Sequence, residues 1–249
     1  GRSPASLLAT YSAERQQIAQ DLIDFDREWS ALMAKKPEEF DESEETLDEF
    51  YLRTFEFPTG FMTQYPPSAI IGTSEHQYLA AGYPIGKRFR SEQVVRVADV
   101  NVIHLGHHAR ADGRWRLYAF ADADHVALDA WAEWLATGDD SPVRRHTPAG
   151  AEVDSVFDVK VIYQQEHDDL DVMQCPEIFR PRHGKFELVD YEKIYAALPE
   201  ADIFASRGID RAGCVVVVRP DQYVAQVLPL AAHAELAAFF AQHMVDLTS

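Results

Sequence analysis

Four consecutive valines at 215–218 constrain this 249-residue chain more than any other feature. A β-branched run with no polar alternation suits a strand covered on both faces, which requires a sheet sandwiched between layers. Pro220-Asp221-Gln222 follows as a tight turn, and 223–228 reads as a partner strand, so 214–228 is predicted to be a buried hairpin. A closing helix is expected over 233–244. Upstream, 94–97 and 100–105 are β-rich, and 115–120 is a strand after the Ala111-Asp112-Gly113 turn. A helix over 125–136 ends at Gly138, 139–150 is a loop, and 156–163 is a strand with Phe157, Val159 and Val161 on one side. Loop-like sequence over 164–184 leads to a short helix at 191–198, a brief apolar piece at Ile203-Phe204 and a turn at Gly208. A β-α-β unit followed by β-β-α is the thioredoxin plan, so the expected class is α/β with a mixed sheet flanked by helices.

Charge narrows the choice of partners. The chain carries 23 Lys+Arg against 41 Asp+Glu, a formal net charge of −18. Such an acidic surface repels phosphate backbones, so no nucleic-acid partner is expected. No apolar run approaches the ~18–20 residues that cross a bilayer, so no membrane partner is expected either. Two cysteines, Cys175 and Cys214, cannot build a disulfide framework and fit a reducing cytoplasm. Residues 38–49 hold eight acids and no base. With no glycine for a calcium-loop turn, that block reads as a solvated connector.

The first segment is helical by period. Leu7, Leu8, Tyr11, Arg15, Ile18, Leu22, Phe25 and Trp29 recur at three- and four-residue steps over 6–34. Ser3-Pro4 reads as a cap with a first-turn proline, and Lys35-Lys36-Pro37 as the stop. A second helix over 43–55 carries Leu47, Phe50, Tyr51 and Phe55, before irregular sequence at 58–67. Bulky apolar residues so early in a helix require a body to pack against.

Candidate chemistry is sparse. A thioredoxin-like sheet invites a C-x-x-C thiolate pair, but Cys175 and Cys214 lie far apart. Cys214 opens an apolar strand and reads as a small core residue, whereas Cys175, beside Pro176, reads as the more exposed thiol. His104, His107 and His108 cluster at a strand end, with Asp112 and His125 not far along, a spacing that can hold a transition metal but also suits an ordinary surface. Ser74-Glu75-His76 is contiguous, whereas a catalytic triad assembles in space. No dinucleotide or P-loop glycine pattern occurs, and the basic loop Gly82–Arg88 reads as a structural turn. No catalytic, cofactor-binding or metal residue is assigned.

Several strings in order nevertheless resemble one family. Tyr11-Ser12-Ala13-Glu14-Arg15 and Ile23-Asp24-Phe25-Asp26-Arg27-Glu28-Trp29-Ser30 are similar to the helix closing the FAD-binding domain of single-component flavin aromatic hydroxylases. Pro84-Ile85-Gly86-Lys87-Arg88, Leu105-Gly106-His107, the run from Asp112 to Phe120, and Arg219-Pro220-Asp221-Gln222-Tyr223-Val224 resemble that family's C-terminal domain, in the phenol 2-monooxygenase and 3-hydroxybenzoate 4-monooxygenase branch. The resemblance implies helices and connector from an FAD-binding domain over 1–67 and a thioredoxin-like, dimerisation-type domain over 68–249. It implies a parent homodimer that uses FAD, NADPH and O2 to hydroxylate a phenolic ring bound outside this segment, with no cofactor on the segment itself. It further implies that Glu14 and Arg15 anchor their helix to the remainder of the parent flavoenzyme. A free-standing, redox-inactive thioredoxin-like binding module is the alternative, and an enzyme using the histidine cluster or Cys175 a third reading.

Overall fold

A computed structural model describes residues 3–36 and 45–248. Most of the acidic block therefore lies outside the described residues. Its described end makes a capping box: the Thr46 side chain accepts from the Glu49 N–H, and the Glu49 carboxylate accepts from the Thr46 N–H, opening helix α2 (Leu47–Thr54). The long first helix, α1, runs over Leu8–Ala34 after a 3-10 turn at Ala5–Leu7. Pro4 precedes that turn rather than occupying its first position, and no side chain caps it, which corrects the Ser3-Pro4 reading.

Nine strands lie among the described residues. Seven form one sheet: β1 (Gln93–Arg96), β2 (Asn101–His104), β3 (Trp115–Phe120), β4 (Phe157–Tyr163), β7 (Ile194–Ala196), β8 (Cys214–Val218) and β9 (Val224–Leu228), in the order β2-β1-β7-β4-β3-β8-β9. The two-residue strands β5 (Arg182–His183) and β6 (Leu188–Val189) pair separately. β3 and β4 run parallel, with Leu117 opposite Val159, and β8 lies antiparallel to β3 with Leu117 opposite Val217. The β3-β4 crossover contains α3 (Val126–Thr137) and α4 (Pro142–His146), and β8-β9 leads into α6 (His233–Ala241). The block β4-β3-β8-β9 with its helices is thus the expected thioredoxin plan, widened beyond β4 by β7, β1 and β2.

Two readings change. Residues 191–198 are not a helix: Ile194, Tyr195 and Ala196 form β7, parallel to β4 and fully buried. Sheet pairing on both sides outweighs the helical tendency of a short apolar run. The loop at 139–150 contains α4, opened by Pro142 at its first turn.

The two sheet faces differ chemically. Trp115 and Phe157 meet Phe239 and Phe240 of α6 edge-on at 4.8–6.0 Å, and α4 joins through His146 against Phe157. Trp131 is buried in this layer, and Trp134 stacks on His233 at 4.4 Å. The opposite face begins apolar, where Tyr118 stacks on Phe89 and Phe120 meets Phe204. It then becomes ionic through Arg116, Asp158, Lys160 and Lys193, all buried. A short helix α5 (Ile203–Ser206) lies near Phe120 through Phe204. Among the described residues no helix is long and apolar enough to cross a membrane.

Of the apolar stripe on α1, Ile18, Phe25 and Trp29 are half-buried, while Leu8 and Tyr11 are 75% and 68% exposed and Leu22 is also exposed. On α2 only Phe50 and Thr54 turn inward; Tyr51 and Phe55 face solvent and Leu47 is half-buried.

Candidate functional site

Three of the strings singled out in the sequence converge on the outer edge of β9. Gly86 donates to the Val224 carbonyl at 2.8 Å, Val224 donates to Lys87 at 2.8 Å, and Phe89 donates to Gln222 at 2.7 Å. Gly86 has φ +83°, and a Cβ there would stand 2.2 Å from the Tyr65 carbonyl oxygen, so only glycine lets 64–65 lie against this loop. The Gly82–Arg88 loop is therefore a backbone clip. The hairpin turn itself places Gln222 at φ +73°.

Into this clip comes α1. The Arg219 guanidinium, 6% exposed, is held from two sides: Nη1 and Nη2 donate to the Glu14 carboxylate, and Nε and Nη2 donate to Asp221 at 3.0 and 2.6 Å. Tyr65 and Tyr223 pack ring to ring at 4.6 Å with the guanidinium over both, and Arg15 donates to the Tyr65 hydroxyl at 3.0 Å. Burial and the neighbouring tyrosine push the Tyr65 phenol up to about 12. Glu14 is the buried residue of α1, and its partner is Arg219 of this same chain. That corrects the expectation that Glu14 and Arg15 reach toward the rest of a parent enzyme: both tie α1 down onto the sheet domain.

The thioredoxin redox position is occupied by other chemistry. The β3-α3 turn, where a C-x-x-C pair would stand, reads Ala121-Asp122-Ala123-Asp124-His125. The Asp122 carboxylate accepts from the N–H groups of Ala127 and Leu128 at 2.9 and 3.0 Å, and those bonds hold its pKa below the ordinary value. A fixed anion thus fills the helix N-terminus. Cys214 is fully buried, and Cys175 is buried as well, contrary to the exposed thiol expected. Burial raises both thiols above their ordinary value, the opposite of what a nucleophilic thiolate needs.

The histidines separate. His104 and His107 have ring centroids 5.2 Å apart, but His108 turns toward Tyr195, and His125 lies across the sheet against Tyr163. Asp112 instead serves Arg114 and Arg116. His76 pairs with Glu235 at 3.1 Å, so the Ser74-Glu75-His76 string forms no triad by itself. The carboxylates of Glu152 and Asp154 do approach His183, but the Asp154 oxygen already takes the Lys193 ammonium at 2.7 Å and Arg114 at 2.8 Å.

Sequence reasoning missed the cleft behind those residues. About 480 Å³ opens over the ionic sheet face, between β4, β7 and the 107–114 segment. At its floor Asp158 accepts from Lys193 at 2.7 Å and from Lys160 at 3.0 Å, with Arg116 Nε at 3.4 Å. Lys160, Lys193 and Arg114 depress the Asp158 carboxyl far below its ordinary range despite burial, while burial lowers Lys160. The available signal was the alternation Phe157-Asp158-Val159-Lys160-Val161, read there for its apolar side alone.

Comparison with known proteins agrees with this arrangement. The family described as "Phenol hydroxylase, C-terminal dimerisation domain" matches residues 63–248. The 3-hydroxybenzoate 4-monooxygenase of Comamonas testosteroni is 45% identical over 96% of this chain and 39% of its own length. The phenol 2-monooxygenase fsqG of Aspergillus fumigatus is 32% identical over 96% of the chain and 40% of its own length. The chain thus spans about two fifths of these curated relatives. Among solved structures, a thiol:disulfide interchange protein from Bacteroides sp. superposes over 62% of this chain and 84% of its own, with TM-score 0.38 and 10% identity. Strand order, not that superposition, carries the fold assignment. The chain belongs to the phenol hydroxylase family and carries its C-terminal dimerisation domain.

Proposed function

We propose that this chain works as the C-terminal part of an FAD- and NADPH-dependent monooxygenase that hydroxylates a phenolic ring, of phenol or hydroxybenzoate type, and that its own task is packing and homodimer assembly. The observation that carries this reading is the uncovered arc of α1. Leu8, Tyr11, Leu22 and Met33 project within about 60° of one another at the helical step of 100° per residue, and all are more than half exposed. That arc adjoins the stripe of Glu14, Ile18 and Phe25, of which Glu14 and Ile18 are spent on the sheet domain and Phe25 on Phe50 and Phe57. A helix with two adjoining apolar arcs suits a position between two bodies. The boundary we propose falls at 67/68, just inside the start of the family match at 63.

The flavin and the phenol are assigned to the portion outside this chain. A dinucleotide pyrophosphate sits on the free N–H groups of a helix following a strand, and in the β3-α3 turn the Asp122 carboxylate takes those groups. That turn does not fit the cofactor's pyrophosphate, and no chemical step is drawn through it. Two free, buried thiols fit a cytoplasmic setting.

Light scattering of the purified chain tests the assembly role, with a dimer mass expected at micromolar concentration. Equilibrium dialysis against FAD tests the division of labour, with no retained flavin expected. A monomer at high concentration removes the assembly role. Stoichiometric FAD binding, or NADPH oxidation by this chain alone, removes the assignment of chemistry elsewhere.

A further inference from the structure

The lining of the ionic cleft carries five Lys and Arg side chains against four Asp and Glu, and its charges are unevenly partnered. Arg96 has Asp99 and Glu192, Arg114 has Asp112 and Asp154, and Lys193 has Asp154 and Asp190 besides Asp158. Arg116 has Asp112. Among the described residues Lys160 has only Asp158, whose carboxylate it shares with Lys193 and Arg116. The residue is 4% exposed, and among the described residues one carboxylate oxygen serves its three N–H donors. Arg110, exposed on the same cleft wall, makes no ion pair among the described residues. His108 lines the cleft beside Tyr195.

Desolvating a cation this far is strongly unfavourable unless a partner completes it. The apolar alternative was available, because the same face becomes Phe120 and Ile162 one pleat further along. A cation ligand does not suit the gap: the carboxylates near His183 already hold Lys193 and Arg114, and Lys160 faces the same space.

We propose that the cleft is a binding site for a small oxyanion, carboxylate or phosphate, taken up by Lys160 and Arg110 with His108 beside it. The anion supplies the counter-charge that Asp158 divides among three cations. Its charge-assisted bonds replace the water that Lys160 lost on folding. Guanidinium and ammonium together accept either a planar carboxylate or a tetrahedral phosphate, so the two sources share one chemistry. The site stands in an otherwise strongly acidic protein, where diffuse attraction of anions is unfavourable, so occupancy depends on these specific donors. It stands whether or not the chain dimerises.

The test is calorimetric titration and thermal melting of this chain with sodium phosphate and sodium succinate, each against sodium chloride at matched ionic strength. A saturable heat and a saturating rise in Tm are expected for at least one oxyanion and not for chloride. Arg110→Ala should weaken that binding about tenfold, and Lys160→Met should abolish it. Should Lys160→Met fail to fold, Arg110→Ala, on an exposed position, decides alone. A response to phosphate alone assigns a phosphoryl group, to succinate alone a carboxylate, and to both simple oxyanion charge. Oxyanion effects equal to those of chloride, or unchanged binding in Arg110→Ala, would overturn the site.

Discussion

Glu14→Ala should loosen α1 from the sheet domain without unfolding the sheet. The substitution removes two of the four carboxylate bonds to the Arg219 guanidinium and leaves the two from Asp221. Breaking a buried ion pair from one side costs ~3–5 kcal/mol. Because Asp221 stays in place as a second carboxylate partner and its side chain is half exposed, we expect a loss below that scale, about 2 kcal/mol. In a domain of this size that is a Tm loss of roughly 4–8 °C if the whole unit melts together. If α1 opens alone, the same energy appears as about thirtyfold faster amide exchange in its first four turns, with β3 and β8 unaffected. Hydrogen exchange distinguishes the two cases. A double-mutant cycle with Arg219→Ala should give a coupling of at least ~1 kcal/mol, and Glu14→Leu with Arg219→Leu should recover part of the loss. Additive losses with no coupling would show that α1 is held by Phe25, Trp29 and their aromatic neighbours instead, and the clamp reading would be wrong.

Three further outcomes follow from the same geometry. Gly86→Ala, forced to φ +83° and against the Tyr65 carbonyl, should cost at least ~2 kcal/mol in urea unfolding. Gln222→Gly, at φ +73° in the hairpin turn, should raise stability by ~0.5–1 kcal/mol. Burial among Trp115, Phe239 and Phe240 pushes His243 down to about 4 from 6.5. The unfolded chain therefore binds the extra proton first. His243's contribution is intact above pH 6.5 and drains away as pH falls toward 4, by up to roughly 3 kcal/mol. Stability curves from pH 7 to 4 should lose that slope in His243→Phe, and an unchanged slope would move the titration elsewhere.

The sheet was legible where local pattern and tertiary role coincide. Residues 215–218 announced a strand buried on both faces, and helices α3 and α6 carried their own period, whereas α4 was too short to show one. Residues 191–198 misled because Ile194-Tyr195-Ala196 is too short for any period, and its strand character comes from lying parallel to β4, some thirty residues upstream in the sequence. Glu14 was picked out correctly, but its partner lies 205 residues away, and no spacing rule reaches that far. Cys175 looked exposed because a proline follows it, whereas it is buried beside Tyr163 with its thiol turned to the Asp171 carbonyl. The cleft was invisible for a simpler reason: Asp158 and Lys160 resemble the solvent side of an alternating strand until a second layer is known to close over them.

An ionic layer on one face of a sheet and an aromatic layer on the other give the domain an unusual relation to temperature. Hydrophobic stabilisation fades on cooling. The cost of stripping water from Arg116, Asp158, Lys160 and Lys193 also grows as temperature falls, because charged groups are hydrated most favourably in the cold. Both layers thus lean toward warmth. The stability maximum is displaced upward, and stability falls more steeply as the domain is cooled below it.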